Sequence, residues 1–388
     1  MAIYSPSNEA SLSTSAPHGP ALRSTDHDCI VVGASFAGLA CATVLAAAGH
    51  RVTVLERKAD VGEKLHTTGI IVKEAAENSP MLAGLPTEMV RRINGVRLYA
   101  PNLRHIDLSS PGYYFLATDT PAVLRWLARR AEDAGARIAY RKAFDGAERI
   151  AEIFSLPHVG TTRYLIGADG PRSIVAREFG LGRSSEFLHG LEYEYDTTGL
   201  PDTEMLHCFI NRQIAPGYIG WVVAGVGVVQ VGLALRMNNY RGTLVEAMEQ
   251  YLKTIAPVFD FRDRKPVSVR AGQIPCGGLV SPLSASGVLL VGDAAGMVSP
   301  VTAGGIHAAL KHGWAAGEAI SEFLSGRAAD PAGWFVDSYP RFRMKRVLRT
   351  LFDTFQSDTL FNLLLGTPLM RAAAELVYFH HQGVFRKK

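Results

Sequence analysis

The chain has 388 residues, is 47% hydrophobic and 20% charged, and carries a formal net charge of +4. That is the balance of a globular protein long enough for about two domains and a large core. The small charge and the lack of a tract interleaving Lys/Arg with stacked aromatics exclude nucleic acid as a partner.

Residues 1–26 are rich in Ser, Ala and Pro and lack a basic stretch followed by an apolar one. They read as a disordered leader rather than a secretory signal. No run of about 18 uncharged apolar residues occurs, so no segment reads as a membrane-spanning helix. The most informative stretch is DCIVVGASFAGLACATVLAAAGHRVTVLER, residues 28–57. An apolar run, Ile30 to Val32, ends at Gly33. A helix of small residues is predicted from Phe36 to Ala48, Gly49 stops it, and RVTVLE makes a second buried strand. Together these form a β-α-β unit of about 30 residues.

Short strands are predicted within GVRLYAPN and GYYFLATD, followed by an amphipathic helix over 121–134 that stops at Gly135. RYLIGADGPRSIVAREFGL, residues 163–181, reads as a strand, a glycine turn and a helix. Residues 190–236 alternate strands with turns, 242–256 read as helix, and VSVRAGQIPCGGLV is extended. Residues 288–325 repeat the strand–glycine–helix theme, and from Ser338 onward the pattern is helical and basic. Pieces of α/β at the start, middle and end thus flank a strand-rich section, which predicts one α/β domain built from discontinuous segments with an antiparallel sheet domain inserted. The four cysteines form no C-x-x-C pair, and no His/Cys cluster has ligand spacing. The expectation is a reducing, cytoplasmic setting and no metal, with Cys29 and Cys41 as core fillers.

In GASFAG (33–38), Gly33 can leave the strand in a tight turn and Gly38 lets the helix approach the sheet. The helix start then points free N–H groups at a diphosphate. Ser35 stands where glycine is usual; its small hydroxyl can itself donate to phosphate. Glu56 follows about 20 residues on, where a carboxylate can accept from a ribose hydroxyl. The bland alternative is an α/β turn without a ligand.

Three blocks now carry a resemblance: GASFAG…LER (33–57), GADGPRSIVAREFG (167–180) and GDAAGMVSPVTAGGIHAAL (292–310). In this order they resemble the FAD-dependent oxidoreductases of the aromatic-hydroxylase fold. The resemblance implies a Rossmann-like FAD-binding domain made of 27–75, 112–180 and 276–330, a substrate domain of 76–111 and 181–275, and a C-terminal helical segment, 331–388. It implies that Gly33, Ser35, Phe36, Ala37, Gly38, Glu56 and Arg57 serve the adenine and diphosphate half of FAD. Asp293 would accept from the ribityl hydroxyls. Gly304, Gly305 and Ile306 would present N–H groups to the pyrimidine edge of the flavin, where a helix dipole stabilises negative charge. Asp169 either contacts the cofactor or caps a helix. Lys64 either reaches the FAD phosphates or faces solvent, and Thr68 belongs to the same loop.

Gly296 after GDAA, and APGYIGWVVAGVGVVQVGLAL (215–235), are closer to the geranylgeranyl reductase branch. There Tyr218 and Trp221 would line the substrate cavity, unless they are strand packing. The branch often places Cys in the loop that here reads VGEKLHTTGII, and an Arg where Thr120 stands. The implied activity is hydride delivery from reduced flavin to an alkene carbon of an apolar, isoprenoid-like substrate. Protonation would follow, with His207 and Tyr218 as candidate donors. The alternatives are a flavin monooxygenase acting on a small aromatic or lipophilic substrate, and a flavin-binding protein without redox turnover. No second strand–glycine–helix unit marks a stable NAD(P)H site, so the reductant is transiently docked NAD(P)H or a reduced electron carrier. The C-terminal segment is either a basic helical cap or a peripheral membrane contact.

Overall fold

The computed structural model describes residues 25–197 and 204–379. Most of the expected leader, and residues 380–388 of the C-terminal segment, lie outside them. The last two leader residues are held in place: Thr25 is buried, and Asp26 accepts from the amide and hydroxyl of Thr161 at 2.8 and 2.9 Å.

A first sheet is built on a parallel run in the spatial order Val288–Leu290, Gly160–Gly167, His27–Val32, Val52–Glu56, Arg137–Tyr140. Its centre (Cys29, Ile30, Val31, Leu165 and Ile166) is fully buried, as in a parallel sheet covered on both faces. The helices in chain order are α1 (Phe36–Ala47), α2 (Lys73–Asn78), α3 (Thr120–Asp133), α4 (Ile174–Glu178), α5 (Leu244–Ile255), α6 (Ile306–Leu324), α7 (Arg343–Phe355), α8 (Asp358–Leu364) and α9 (Pro368–Phe379). Small residues let α1 and α6 cross closely: a β-carbon on Gly313 would overlap the Ala37 carbonyl, and one on Gly317 would lie 2.9 Å from the Cys41 carbonyl oxygen. That crossing brings the two ends of the chain's α/β region to one place.

The second sheet has seven strands in the order Ser268–Pro275, Phe187–Asp196, Val228–Leu235, Gly220–Ala224, Met205–Phe209, Gly95–Tyr99, His105–Leu108. Only the pair Met205–Phe209 and Gly95–Tyr99 is parallel. Alternation along the strands sorts side chains onto two faces. One face carries Phe209, Val222, Val231 and Leu233 and packs on Met248 and Tyr251 of α5. The other carries Leu98, Ile106, Cys208, Trp221 and Val223, whose apolar cluster continues into Phe361, Leu365 and Phe379 of the C-terminal helices. A small sheet of Ile70–Val72, Phe115–Thr118 and Val90–Ile93 shares apolar contacts with both large cores.

Candidate functional site: a cofactor cradle facing an apolar sheet

Gly33 closes the first strand at φ +102°, and a β-carbon there would overlap the Ala168 carbonyl oxygen. Only glycine fits that turn. Gly38 is equally constrained, against the Gly33 carbonyl. Ser35 is the N-cap of α1, its hydroxyl accepting from Gly38 N–H at 3.2 Å. The serine thus caps the helix start where glycine is usual, occupying one of its free N–H groups. Phe36 and Ala37 form the first turn of α1 and are buried. Glu56 ends its strand buried; its two oxygens accept from Ala34 N–H at 3.0 Å and Lys58 N–H at 2.9 Å. These bonds fix the carboxylate beside the glycine turn with lone pairs to spare for a ribose. Arg57 and Lys64 are exposed.

The late acidic turn sits against the same helix start: a β-carbon on Gly292 would lie 2.9 Å from that of Ala37. Asp293 is half-buried and, among the described residues, its carboxylate accepts no hydrogen bond; burial alone pushes the carboxyl up to about 6. A carboxylate held this way invites a donor. α6 begins at Ile306 without a side-chain cap, leaving its first N–H groups for a ligand. Ala303 before it takes φ +51°, a conformation unusual for a residue with a β-carbon. A glycine cradle at one end, an unpartnered carboxylate in the middle and an uncapped helix start fit an extended dinucleotide such as FAD.

Asp169 takes the capping role: its oxygens accept from the Ser173 hydroxyl at 2.6 Å and from the N–H groups of Ile174 and Val175 at 2.6 and 3.2 Å. Tyr218 donates its hydroxyl to the Thr302 carbonyl, tying the sheet domain to the turn before α6. Trp221 lies over Gly232 and donates Nε1–H to Glu192 Oε2 at 3.0 Å. Tyr218, Trp221 and Ala303 belong to one apolar cluster, so both aromatics stand on the cofactor side. Thr68 lies on the loop covering that face, its carbonyl accepting from Gln230 Nε2 at 3.1 Å.

His207 is a correction. It pairs in register with Val222 and so points to the α5 face, away from Trp221. There its Nδ1 meets the Tyr99 hydroxyl at 3.0 Å and burial pushes its imidazole down to about 4. It cannot deliver a proton to the other side of the sheet. A hollow of about 10 Å³ beside Phe209, Tyr251 and Ile255 is on this same far face and is too small for a substrate.

A buried polar group escaped the sequence reading: Glu192, Glu194, Gln230 and Arg270, all on the cofactor-side face. The available signal was the spacing in LEYEYD, which puts two acids on one face of a strand. The reach of α7 was also missed. Arg349 donates to the Gly217 carbonyl, and Gln356 Oε1 accepts from Gly217 N–H at 2.7 Å, so α7 clamps the turn that presents Tyr218.

The FAD binding domain family matches residues 26–352. The chain is 28% identical over 313 residues to a digeranylgeranylglycerophospholipid reductase of Methanocaldococcus jannaschii, covering 77% of this chain and 78% of that protein. It is 31% identical over 315 residues to digeranylgeranylglycerophospholipid reductase 2 of Methanopyrus kandleri, with the same 77% and 78% covered. The crystal structure of a geranylgeranyl bacteriochlorophyll reductase-like protein from Thermoplasma acidophilum superposes with TM-score 0.78 at 19% identity, over 92% of this chain and 97% of that one. The chain therefore belongs to the FAD binding domain family and is an FAD-dependent oxidoreductase near the geranylgeranyl reductase branch.

Proposed function

We propose that this protein saturates C=C bonds of a lipophilic, isoprenoid-like substrate. The observation that carries the reading is the sheet face on the cofactor side, which runs from Trp221 through Cys208 and Leu98 to Ile106 without a charged side chain. Phe361, Leu365 and Phe379 of the C-terminal helices roof this stretch, and an apolar space between floor and roof suits hydrocarbon by the hydrophobic effect. The names of the archaeal relatives point the same way.

The residues divide the work. Gly33, Gly38 and the start of α1 hold the diphosphate, Glu56 the ribose, Asp293 the ribityl chain, and Gly304, Gly305 and Ile306 the flavin's pyrimidine edge. FAD bound there in its reduced form supplies a hydride. Tyr218 keeps the turn at Thr302 fixed to the sheet, and Trp221 floors the space beside it. The reductant is NAD(P)H docking from outside or a separate reduced carrier; flavin bleaching by NADH, NADPH or a reduced ferredoxin identifies which.

The membrane is the source we assign to the substrate. α7 buries Arg349 and turns Met344, Val347, Leu348, Leu351 and Phe355 outward, with Met344 73% and Phe355 66% exposed. Leu363 and Leu369 of the next two helices are 72% and 82% exposed. Arg341, Arg343 and Arg346 flank this stripe. An amphipathic helix with its apolar side outward and basic residues at its margin suits an anionic bilayer surface. No single described helix is long and apolar enough to cross a membrane.

The test is anaerobic mixing of the reduced holoprotein with a geranylgeranyl-chain lipid in vesicles. The expected result is flavin reoxidation and a product heavier by two hydrogens. Reoxidation only in oxygen, with an oxygenated product, would replace this reading with the monooxygenase.

A further inference from the structure

One rung of the seven-stranded sheet, read across its cofactor-side face, runs Arg270, Glu192, Gly232, Trp221, Cys208, Leu98. The rung is polar at one end and apolar at the other. Trp221 stands at the boundary and leans toward the polar end. A β-carbon on its neighbour Gly232 would fall 2.2 Å from Cζ2, 2.4 Å from Cε2 and 2.8 Å from Nε1 of the indole. The ring thus occupies the place that a side chain at 232 would take. Glycine inside a strand forfeits packing and marks a close approach. Here the indole is what approaches.

On the next strand out, Glu192 pairs in register with Gly232, and its Oε2 accepts the indole N–H at 3.0 Å. Glu192 is only 4% exposed, a costly place for a carboxylate. Arg270, opposite it on the edge strand, is engaged elsewhere: its Nη2 lies 2.5 Å from Glu194 Oε1, and its Nη1 donates to the Thr67 carbonyl at 3.2 Å. That Nη1 stands 3.5 Å from Glu192 Oε1, which accepts no hydrogen bond. The guanidinium therefore balances the Glu192 charge, while the indole takes up its hydrogen-bonding oxygen.

An indole has one polar atom on an apolar body. With the N–H turned to the acid, the carbon rings cover Gly232 and lie between the buried charges and the apolar stretch through Cys208 and Leu98. They carry the apolar floor one strand further, beside Tyr218 and Ala303 on the cofactor side.

We propose that Gly232 and Glu192 are positioning residues for the reduction: they hold Trp221 down over the sheet, so that its rings and not the buried charges meet the hydrocarbon. The proposal rests on the reduction reading above. Loss of the acceptor at 192, or a side chain at 232, frees the ring to rise into the substrate's space.

Two measurements test it. The chain has four tryptophans, so holoprotein labelled with 5-fluorotryptophan gives four fluorine lines, and Trp221→Phe identifies one of them. The Trp221 line should be single and sharp in wild type and in Glu192→Gln, which keeps an acceptor oxygen. It should be split or broadened in Glu192→Leu and in Gly232→Ala. The other lines should stay in place, which separates a freed ring from a damaged fold. A single sharp Trp221 line in both Glu192→Leu and Gly232→Ala overturns the proposal without reference to any substrate. In anaerobic mixing with the geranylgeranyl-chain lipid, Glu192→Leu, Gly232→Ala and Trp221→Leu should each lower the second-order rate constant of flavin reoxidation about 10-fold, the scale of one apolar contact in a binding pocket. Adding Glu192→Leu to Trp221→Leu should lower it no further, because the acid acts through the indole. Losses that add, or a wild-type rate in Trp221→Leu, also overturn the proposal. A wild type that never reoxidises with lipid instead sinks the reduction reading, while the fluorine lines still decide whether the ring is held.

Discussion

Asp293→Asn should make the flavin-free protein more stable while weakening its hold on FAD. The carboxyl is pushed from 3.8 to about 6 by burial without a hydrogen-bond partner. A folded-state value above the unfolded one favours the protonated form, so the native state is penalised as pH rises from the lower value through the upper. At about 1.4 kcal/mol per unit, the penalty comes to about 3 kcal/mol at pH 7.5 and shrinks to about 0.6 kcal/mol at pH 4. Asparagine carries no charge and escapes the penalty. Urea unfolding of stripped wild-type and variant protein at the two pH values measures the difference. The variant should gain up to about 3 kcal/mol at pH 7.5 and almost nothing at pH 4. With FAD bound, the ribityl hydroxyls would donate to the carboxylate, so the order reverses and the variant should bind FAD at least about tenfold more weakly, a loss typical of a charged hydrogen bond. Equal stability changes at both pH values, or a variant weaker than wild type at pH 7.5 without flavin, would refute the picture of an acid kept waiting for its cofactor.

Glu56→Gln should weaken FAD binding by about 1.5–3 kcal/mol, read by flavin fluorescence, because an NH₂ group then faces the Ala34 or Lys58 amide. Gly217→Ala should lower thermal stability by about 1–3 kcal/mol and slow turnover, since φ +80° and the Arg236 side chain leave no room for a β-carbon under the turn that carries Tyr218. His207→Gln should leave the rate constant and its pH profile unchanged while melting earlier, since the ring packs edge-on against Phe259 on the far face. Replacing Leu348, Leu351 and Phe355 with serine should abolish co-sedimentation with anionic vesicles yet leave flavin content intact; undiminished pelleting would remove the membrane from the account.

The sequence by itself determined that FAD is the cofactor and where the strand–glycine–helix turns fall. Gly33, Gly38, Asp293 and Gly305 sit at strand ends and helix starts, where a few neighbouring residues dictate the backbone. Their signature is therefore local and readable in order along the chain. The close crossing of α1 and α6 rests on small residues that are visible in the sequence, but it is the structure that brings the two helices together. What only the tertiary structure decided is which face of a strand a side chain takes, and who meets it there. His207 and Trp221 both read as aromatic residues on strands, but register put one behind the sheet and the other over Gly232. Glu192 and Arg270 lie far apart in sequence and become one charge cluster through a single rung of pairing. Composition left the basic C-terminal segment open as a cap or a membrane contact; in the structure α7 anchors through Arg349 and turns its leucines outward, while Phe361, Leu365 and Phe379 of the following helices cover the sheet. Period-2 alternation fixes that two faces exist; only the partner strands, supplied by distant parts of the chain, fix which face is the inside.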